Sequence, residues 1–144
     1  MQFIYIEKIK CFRWLCLVNK ICTWDNLCHR GWIGPNTCHL CRASSESKNH
    51  LFVECIFGKS LRAYIAEALG INFLWQNSCL EDNYIEWITN DDSLVFLPFF
   101  CNWTIWLSRN DCIFNDFVPS IQKTTVRYLN FTKACPVKVV FWKE

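Results

Sequence analysis

Three cysteines and a histidine, Cys38, Cys41, His50 and Cys55, stand at C-x2-C-x8-H-x4-C spacing. Thiolate sulfur and imidazole nitrogen are ligands of tetrahedral zinc, and two cysteines two residues apart reach one ion when a tight turn separates them. His39 and Leu40 form that turn, Gly34-Pro35-Asn36 supplies turn chemistry ahead of it, and polar Ser44-Ser45-Glu46-Ser47 separates the two halves. Four protein ligands leave no position for water. The expected metal is therefore one structural Zn2+ that holds the chain and activates no substrate. Eleven cysteines also make close pairs by chance, and a rival set recruits Cys28 or His29 in place of His50 or Cys55. His39, inside the turn, reads as a solvated residue.

The elements that must hold these ligands have helical periodicity, so the fold class is mainly α: a small helical domain with a zinc-binding loop between helices. Residues 8–20 form a first helix, with Ile9, Phe12, Cys16 and either Leu15 or Asn19 recurring on one side. Thr23 is the expected N-cap of a short helix through Arg30, with Asp25 in its positive first turn and Gly31 just past its end. After the zinc loop, His50 to Glu54 opens the next helical stretch. Phe57, Leu61, Tyr64, Ile65, Ala68 and Leu69 then make an amphipathic stripe that stops at Gly70.

Residues 80–88 read as a weaker helix, and Asp91-Asp92-Ser93 as caps for a long aromatic one. In that helix Phe99, Trp103, Trp106, Leu107, Asn110 and Phe114 share a side, and Pro98 either starts or kinks it. Pro119 stands at the first position of a last helix to about Thr132. Residues 137–142 are a short strand or an unpaired tail. The connector from Trp32 to Asn49 has little apolar material of its own, which is where a metal contributes most.

A chain of 144 residues, 52% hydrophobic with eight Trp and twelve Phe, has material for one core. An odd cysteine count without a secretory signal does not describe a disulfide framework, so a reducing cytoplasm or nucleus is expected and secretion is not. The sequons at Asn102 and Asn130 fall in helical segments. Residues 93–108 carry no charge, but a spanning helix needs about twenty apolar residues, and Pro98 and Asn102 interrupt the run. It reads as a core helix, with no membrane partner.

Charge is uneven along the chain. Residues 1–62 hold nine Lys/Arg against four acids, residues 63–116 one against eight, and residues 117–144 five against one. The zinc-bearing half is thus basic. Lys8, Lys10, Arg13, Arg30, Arg42 and Lys48, with Lys20, Lys59 and Arg62, are candidates to neutralise phosphates, and Trp14, Trp24 and Trp32 offer faces for base stacking. The competing reading is that scattered cations solubilise helices and tryptophans fill cores.

Several pieces occur in one order: Lys8-Ile-Lys-Cys-Phe-Arg-Trp-Leu15, Thr23-Trp-Asp-Asn-Leu27, Arg30-Gly-Trp-Ile33, Cys38-x-x-Cys41, His50-Leu-Phe-x-x-Cys55 and Trp106-x-x-Arg109-Asn-x-x-x-Phe114. Together they resemble the zinc-binding domain that follows the reverse transcriptase of plant LINE-type, non-LTR retrotransposons. The resemblance covers residues 8–115 and implies Cys38, Cys41, His50 and Cys55 as the metal set. It divides the chain into a non-domain start at residues 1–7, the zinc domain at 8–115, and a C-terminal helix and tail at 116–144. Nothing resembles the paired aspartates of a reverse transcriptase, an apurinic-type endonuclease or a ribonuclease H, so the chain reads as the tail of a larger polyprotein.

Three function classes follow. The first is a nonenzymatic zinc module assisting RNA or DNA binding. The second is a structural or protein-interaction domain, in which the helix carrying Trp103 and Trp106 docks on a reverse transcriptase domain or another partner. The third, an enzyme, has little support and no small-molecule substrate: Cys28 and His29 are adjacent on a helix, where side chains diverge by about 100°, and so make no simple nucleophile-base pair. Arg109-Asn110, polar inside an aromatic helix, is expected to be structural, with Arg109 pairing with a carboxylate or stacking on Trp106, and Asn110 bonding backbone near the zinc loop.

Overall fold

A computed structural model describes residues 2–73, 75–90 and 96–134. Among them run six α-helices, α1 (Gln2–Leu17), α2 (Trp24–His29), α3 (Ile56–Leu69), α4 (Leu80–Asn90), α5 (Leu97–Phe114) and α6 (Ile121–Ala134), with one π-helical turn (His50–Glu54) before α3. No strand occurs among the described residues, and the lone antiparallel bridge joins Thr37 to Ser45 across the zinc loop. The mainly helical class holds. The expected caps at Asp91 to Ser93 and the strand or tail at residues 137–142 lie outside the described residues.

α5 is the axis of the fold because its sequence is apolar on nearly every side, and such a helix must be enclosed. α1, α3, α6 and the π turn all pack on it. Pro98 sits at its start and does not kink it, since the first turn has no use for the missing N–H. Of the residues expected to share a side, only Phe99 is buried. Phe100, Cys101, Thr104, Ile105, Ser108 and Cys112 are buried, Trp103, Trp106, Leu107 and Asn110 are half-buried, and Phe114 is exposed. Periodicity cannot single out one face in a helix with apolar residues all round.

Polar groups carried inside by α5 are matched locally. Thr104 Oγ1 donates to the Phe100 carbonyl at 2.8 Å, Ser108 and Thr124 share a hydrogen bond at 3.1 Å, and Asn102 Nδ2 donates to the Tyr84 hydroxyl. Asn102 is fully buried, so its sequon is closed to glycosylation. Among the described residues no helix is long and apolar enough to cross a membrane.

α1 follows its predicted face, with Ile9, Phe12 and Cys16 buried and Leu15 packed beside them, but starts earlier, at Gln2. In α3 only Phe57, Leu61 and Ile65 of the expected stripe are buried, together with Arg62, while Tyr64, Ala68 and Leu69 face outward. Gly70 ends that helix at φ 63°, a left-handed conformation glycine adopts without a Cβ penalty, and the Ile71 amide returns to the Ala66 carbonyl at 3.0 Å. α6 begins two residues beyond Pro119: Ser120 caps it, its Oγ accepting from the Lys123 amide at 3.3 Å.

Candidate metal centre

The first two ligands come from a hairpin. The Arg42 amide donates to the Cys38 carbonyl at 2.8 Å, the Cys38 amide to the Ser44 carbonyl at 2.8 Å, and the Glu46 amide to the Asn36 carbonyl at 2.9 Å. Arg42 takes φ 55° to close the turn. Cys41 Sγ accepts from the Ala43 amide at 3.4 Å.

The other two ligands depend on the π turn. On an α-helix, residues five apart are rotated by about 140° and point away from a common ion. The wider turn brings the ends of His50-x4-Cys55 back together, and the Cys55 amide bonds the His50 carbonyl at 2.7 Å. Ser47 Oγ accepts from the His50 amide at 3.1 Å and starts that turn. Cys55 then leaves the helical conformation at ψ 132° and stands as N-cap of α3.

The four ligand atoms of Cys38, Cys41, His50 and Cys55 lie within 4.8 Å of one another. Sγ of Cys38 and Cys55 are 3.9 Å apart, and Cys41 Sγ is 3.4 Å from His50 Nε2. A zinc tetrahedron with bonds of about 2.3 Å to sulfur and 2.0 Å to nitrogen has sulfur–sulfur edges of about 3.8 Å and sulfur–nitrogen edges of about 3.5 Å. The cluster therefore fits one zinc ion, and the sulfurs are too far apart for a disulfide at about 2.05 Å. Cys28 and His29, the rival ligands, lie on α2 and are not in the cluster.

Three thiolates around a dication leave one net negative charge, and the surroundings answer it. Cys55 stands at the positive end of α3, and Arg62 lies close enough for its charge to act on the Cys55 sulfur. Arg62 is itself buried. It donates to the carbonyls of Phe52 at 2.6 Å and Val53 at 2.9 Å, the open end of the π turn, and its guanidinium lies 4.9 Å from the Trp75 ring centroid. Arg62 is thereby removed from the cations available to phosphate.

A thiol proton of Cys38 or Cys55 bridges the two sulfurs in a hydrogen bond. Their mutual hydrogen bond is the main cause that raises the Cys38 thiol above its ordinary value, with burial adding to it, and the same bond lowers Cys55. Zinc must displace that proton, so binding tightens as pH rises through neutrality and weakens as it falls. Calorimetric titration of zinc in two buffers of different ionisation enthalpy should show proton release; a pH-independent affinity without release would contradict this wiring.

The loop between the ligand pairs joins the helices. Glu46, fully buried, accepts from Arg109 Nε at 3.1 Å and Nη2 at 2.8 Å, and from the Trp24 amide at 3.0 Å, so the first amide of α2 is bonded from 22 residues away. Arg109 Nη2 also reaches the Cys22 carbonyl at 3.2 Å, and its guanidinium lies 5.1 Å and 4.7 Å from the Trp24 and Trp106 ring centroids. Both expected roles of Arg109 are present. Asn110 bonds no backbone near the loop; its Oδ1 accepts from Arg109 Nη1 at 3.1 Å.

Further along the loop, Asn49 Oδ1 accepts from the Leu80 amide at 3.0 Å and Lys48 pairs with Glu81, fastening the start of α4. His39 is no solvated residue, since its Nδ1 accepts from Trp24 Nε1 at 3.3 Å. The structural roles of Glu46, Arg62, Ser47 and Asn49 escaped the sequence reading, because their partners are other elements or backbone groups that no local pattern marks.

Of the cations expected to meet phosphate, Lys8, Arg30 and Arg42 are exposed, and Lys10 and Arg13 half-buried. Lys10 is 3.5 Å from Glu7, Arg13 lies 5.3 Å from the Phe99 ring centroid, and Arg30 donates to the Lys20 carbonyl at 2.9 Å. Lys48 is the exception: it is buried in its pair with Glu81 and unavailable at the surface.

Comparison with known families agrees with this geometry. The family described as zinc-binding in reverse transcriptase matches residues 2–61, a segment that holds all four ligands. That match and the cluster support one zinc ion held by Cys38, Cys41, His50 and Cys55. No curated protein and no solved structure matches the chain.

Proposed function

We propose that this chain is a nonenzymatic zinc module, from a plant LINE-type retrotransposon polyprotein, that assists RNA or DNA binding in the cytoplasm or nucleus. The observation that carries this reading is the coincidence of the matched segment, 2–61, with the basic part of the chain, where Lys8, Lys10, Arg13, Arg30 and Arg42 lie at or near the surface. A site with four protein ligands leaves zinc a structural task, and the basic surface is left to handle phosphate.

If several of these cations meet phosphates, log affinity for labelled single-stranded RNA should fall linearly with log salt, by about 0.7 for each phosphate neutralised. Fluorescence anisotropy across a salt series measures it. Salt-independent binding, or none by zinc-loaded protein, defeats the reading.

A docking role has its own support. A groove of about 600 Å³ runs between α1 and α5, walled by Phe12, Leu15, Ile21, Trp103 and Trp106. Concentration-dependent self-association or binding to a reverse transcriptase domain, without RNA binding, would favour this second reading.

A further inference from the structure

Beside the zinc hairpin lies an open cleft of about 490 Å³, lined by Trp24, Trp32, Pro35, His39, Arg42 and Ile113 among others. Its aromatic wall is fixed in place. The Trp24 and Trp32 rings stack at 4.5 Å with planes 23° apart, and Trp24 is tied to His39 by the bond already described. Gly34 seats the Trp32 ring, for a Cβ at that position would stand 2.3 Å from it. Trp32 nevertheless keeps 38% of its surface exposed.

Arg42 is the one Lys or Arg on the lining, which also includes the zinc ligand Cys38. The zinc turn fixes its backbone, while its exposed guanidinium has no hydrogen bond or ion pair among the described residues. Among the described residues no carboxylate lines the cleft. Flat π surfaces beside an unengaged guanidinium match the two halves of a nucleotide, a base and a phosphate. The cleft has room for a base only when that base is out of its duplex, because a paired and stacked base presents edges alone.

We propose that this cleft binds one unpaired nucleotide of single-stranded RNA or DNA, with the base against Trp32 and the phosphate on Arg42. This rests on the nucleic-acid reading above and assigns it a place and a strand preference. The test uses the zinc-loaded full chain and short fluorescein-labelled single strands of RNA and of DNA, with the matching duplexes, read by anisotropy and by quenching of tryptophan fluorescence.

Single strands of at least one of the two chemistries should bind more tightly than duplex, and the tighter arm identifies the source. Trp32→Ala should weaken binding at least about fivefold, the low end for loss of one aromatic stacking platform. Gly34→Ala, which displaces the ring without deleting it, should act in the same direction. Arg42→Ala should reduce the salt slope by about 0.7, one phosphate on a single strand. Tyr64→Ala, on the exposed side of α3, should leave affinity unchanged.

Zinc content and circular dichroism report whether each variant folds, and Arg42→Ala, at an exposed side chain, decides the matter if Trp32→Ala does not. Wild-type protein that binds single strands while folded Trp32→Ala and Arg42→Ala bind equally well overturns the cleft and leaves the broader reading standing. Preference for duplex also overturns it. Wild-type protein that binds no nucleic acid removes both.

Discussion

Cys41→Ser should purify without stoichiometric zinc and with much of its helix signal lost. Structural zinc contributes roughly 10 to 16 kcal/mol of apparent binding free energy, available only when all four ligands assemble. A domain of this size has a net stability of about 5 to 15 kcal/mol, so the metal's share is comparable with the whole. Sequence reasoning places the damage in at least the loop and the ends of its flanking helices. The tertiary contacts extend it, because the same loop holds α2 through Glu46, α4 through Lys48 and Asn49, and α5 through Arg109.

Metal analysis on protein purified under reducing conditions, with circular dichroism before and after chelation, checks this. One zinc per chain in wild type, lost together with helix on chelation and absent from Cys41→Ser, is the expected pattern. Normal zinc content in Cys41→Ser would sink the ligand assignment. Well-folded wild-type protein without zinc would leave the cysteines as core residues.

Arg109→Ala should cost about 3 to 5 kcal/mol, the range for removing one partner of a buried ion pair and stranding the other. Glu46 would remain without its two strongest donors, and the space between the Trp24 and Trp106 rings would empty. The Arg127–Asp111 pair on α6 and α5 is the internal control: its side chains are 39% and 24% exposed, and Arg127→Ala should cost at most about 1 kcal/mol.

Urea midpoints for wild type and both variants, at constant zinc, measure the difference. Equal losses for the two arginines would mean that Glu46 is reached by water. Because Arg109 is committed to Glu46, its removal should lower stability more than RNA affinity; a stable Arg109→Ala protein with selectively lost binding would reverse its assignment as a structural residue.

Arg109 and Glu46 also mark where sequence legibility ends. Cys38, Cys41, His50 and Cys55 were readable because metal ligation is announced by residue type and short spacing, and a hairpin and a π turn are local means of satisfying it. α1, α3 and α6 were readable in outline, since period and punctuation at Gly70 and near Pro119 act within a few residues. The buried face of α5 was not, because a helix with apolar residues on nearly every side carries little contrast between faces.

The chain by itself determined a helical protein with one closed zinc site and a basic first half, for each of these follows from neighbours in sequence. Tertiary structure alone decided that Glu46 is buried with Arg109, 63 residues away, that Lys48 is spent on Glu81, and that Arg42 shares a cleft with Trp32. A charged side chain has no intrinsic preference that distinguishes these fates. Burial is unfavourable without a partner and tolerable with one, and the partner is brought by a distant element only when the core has packed.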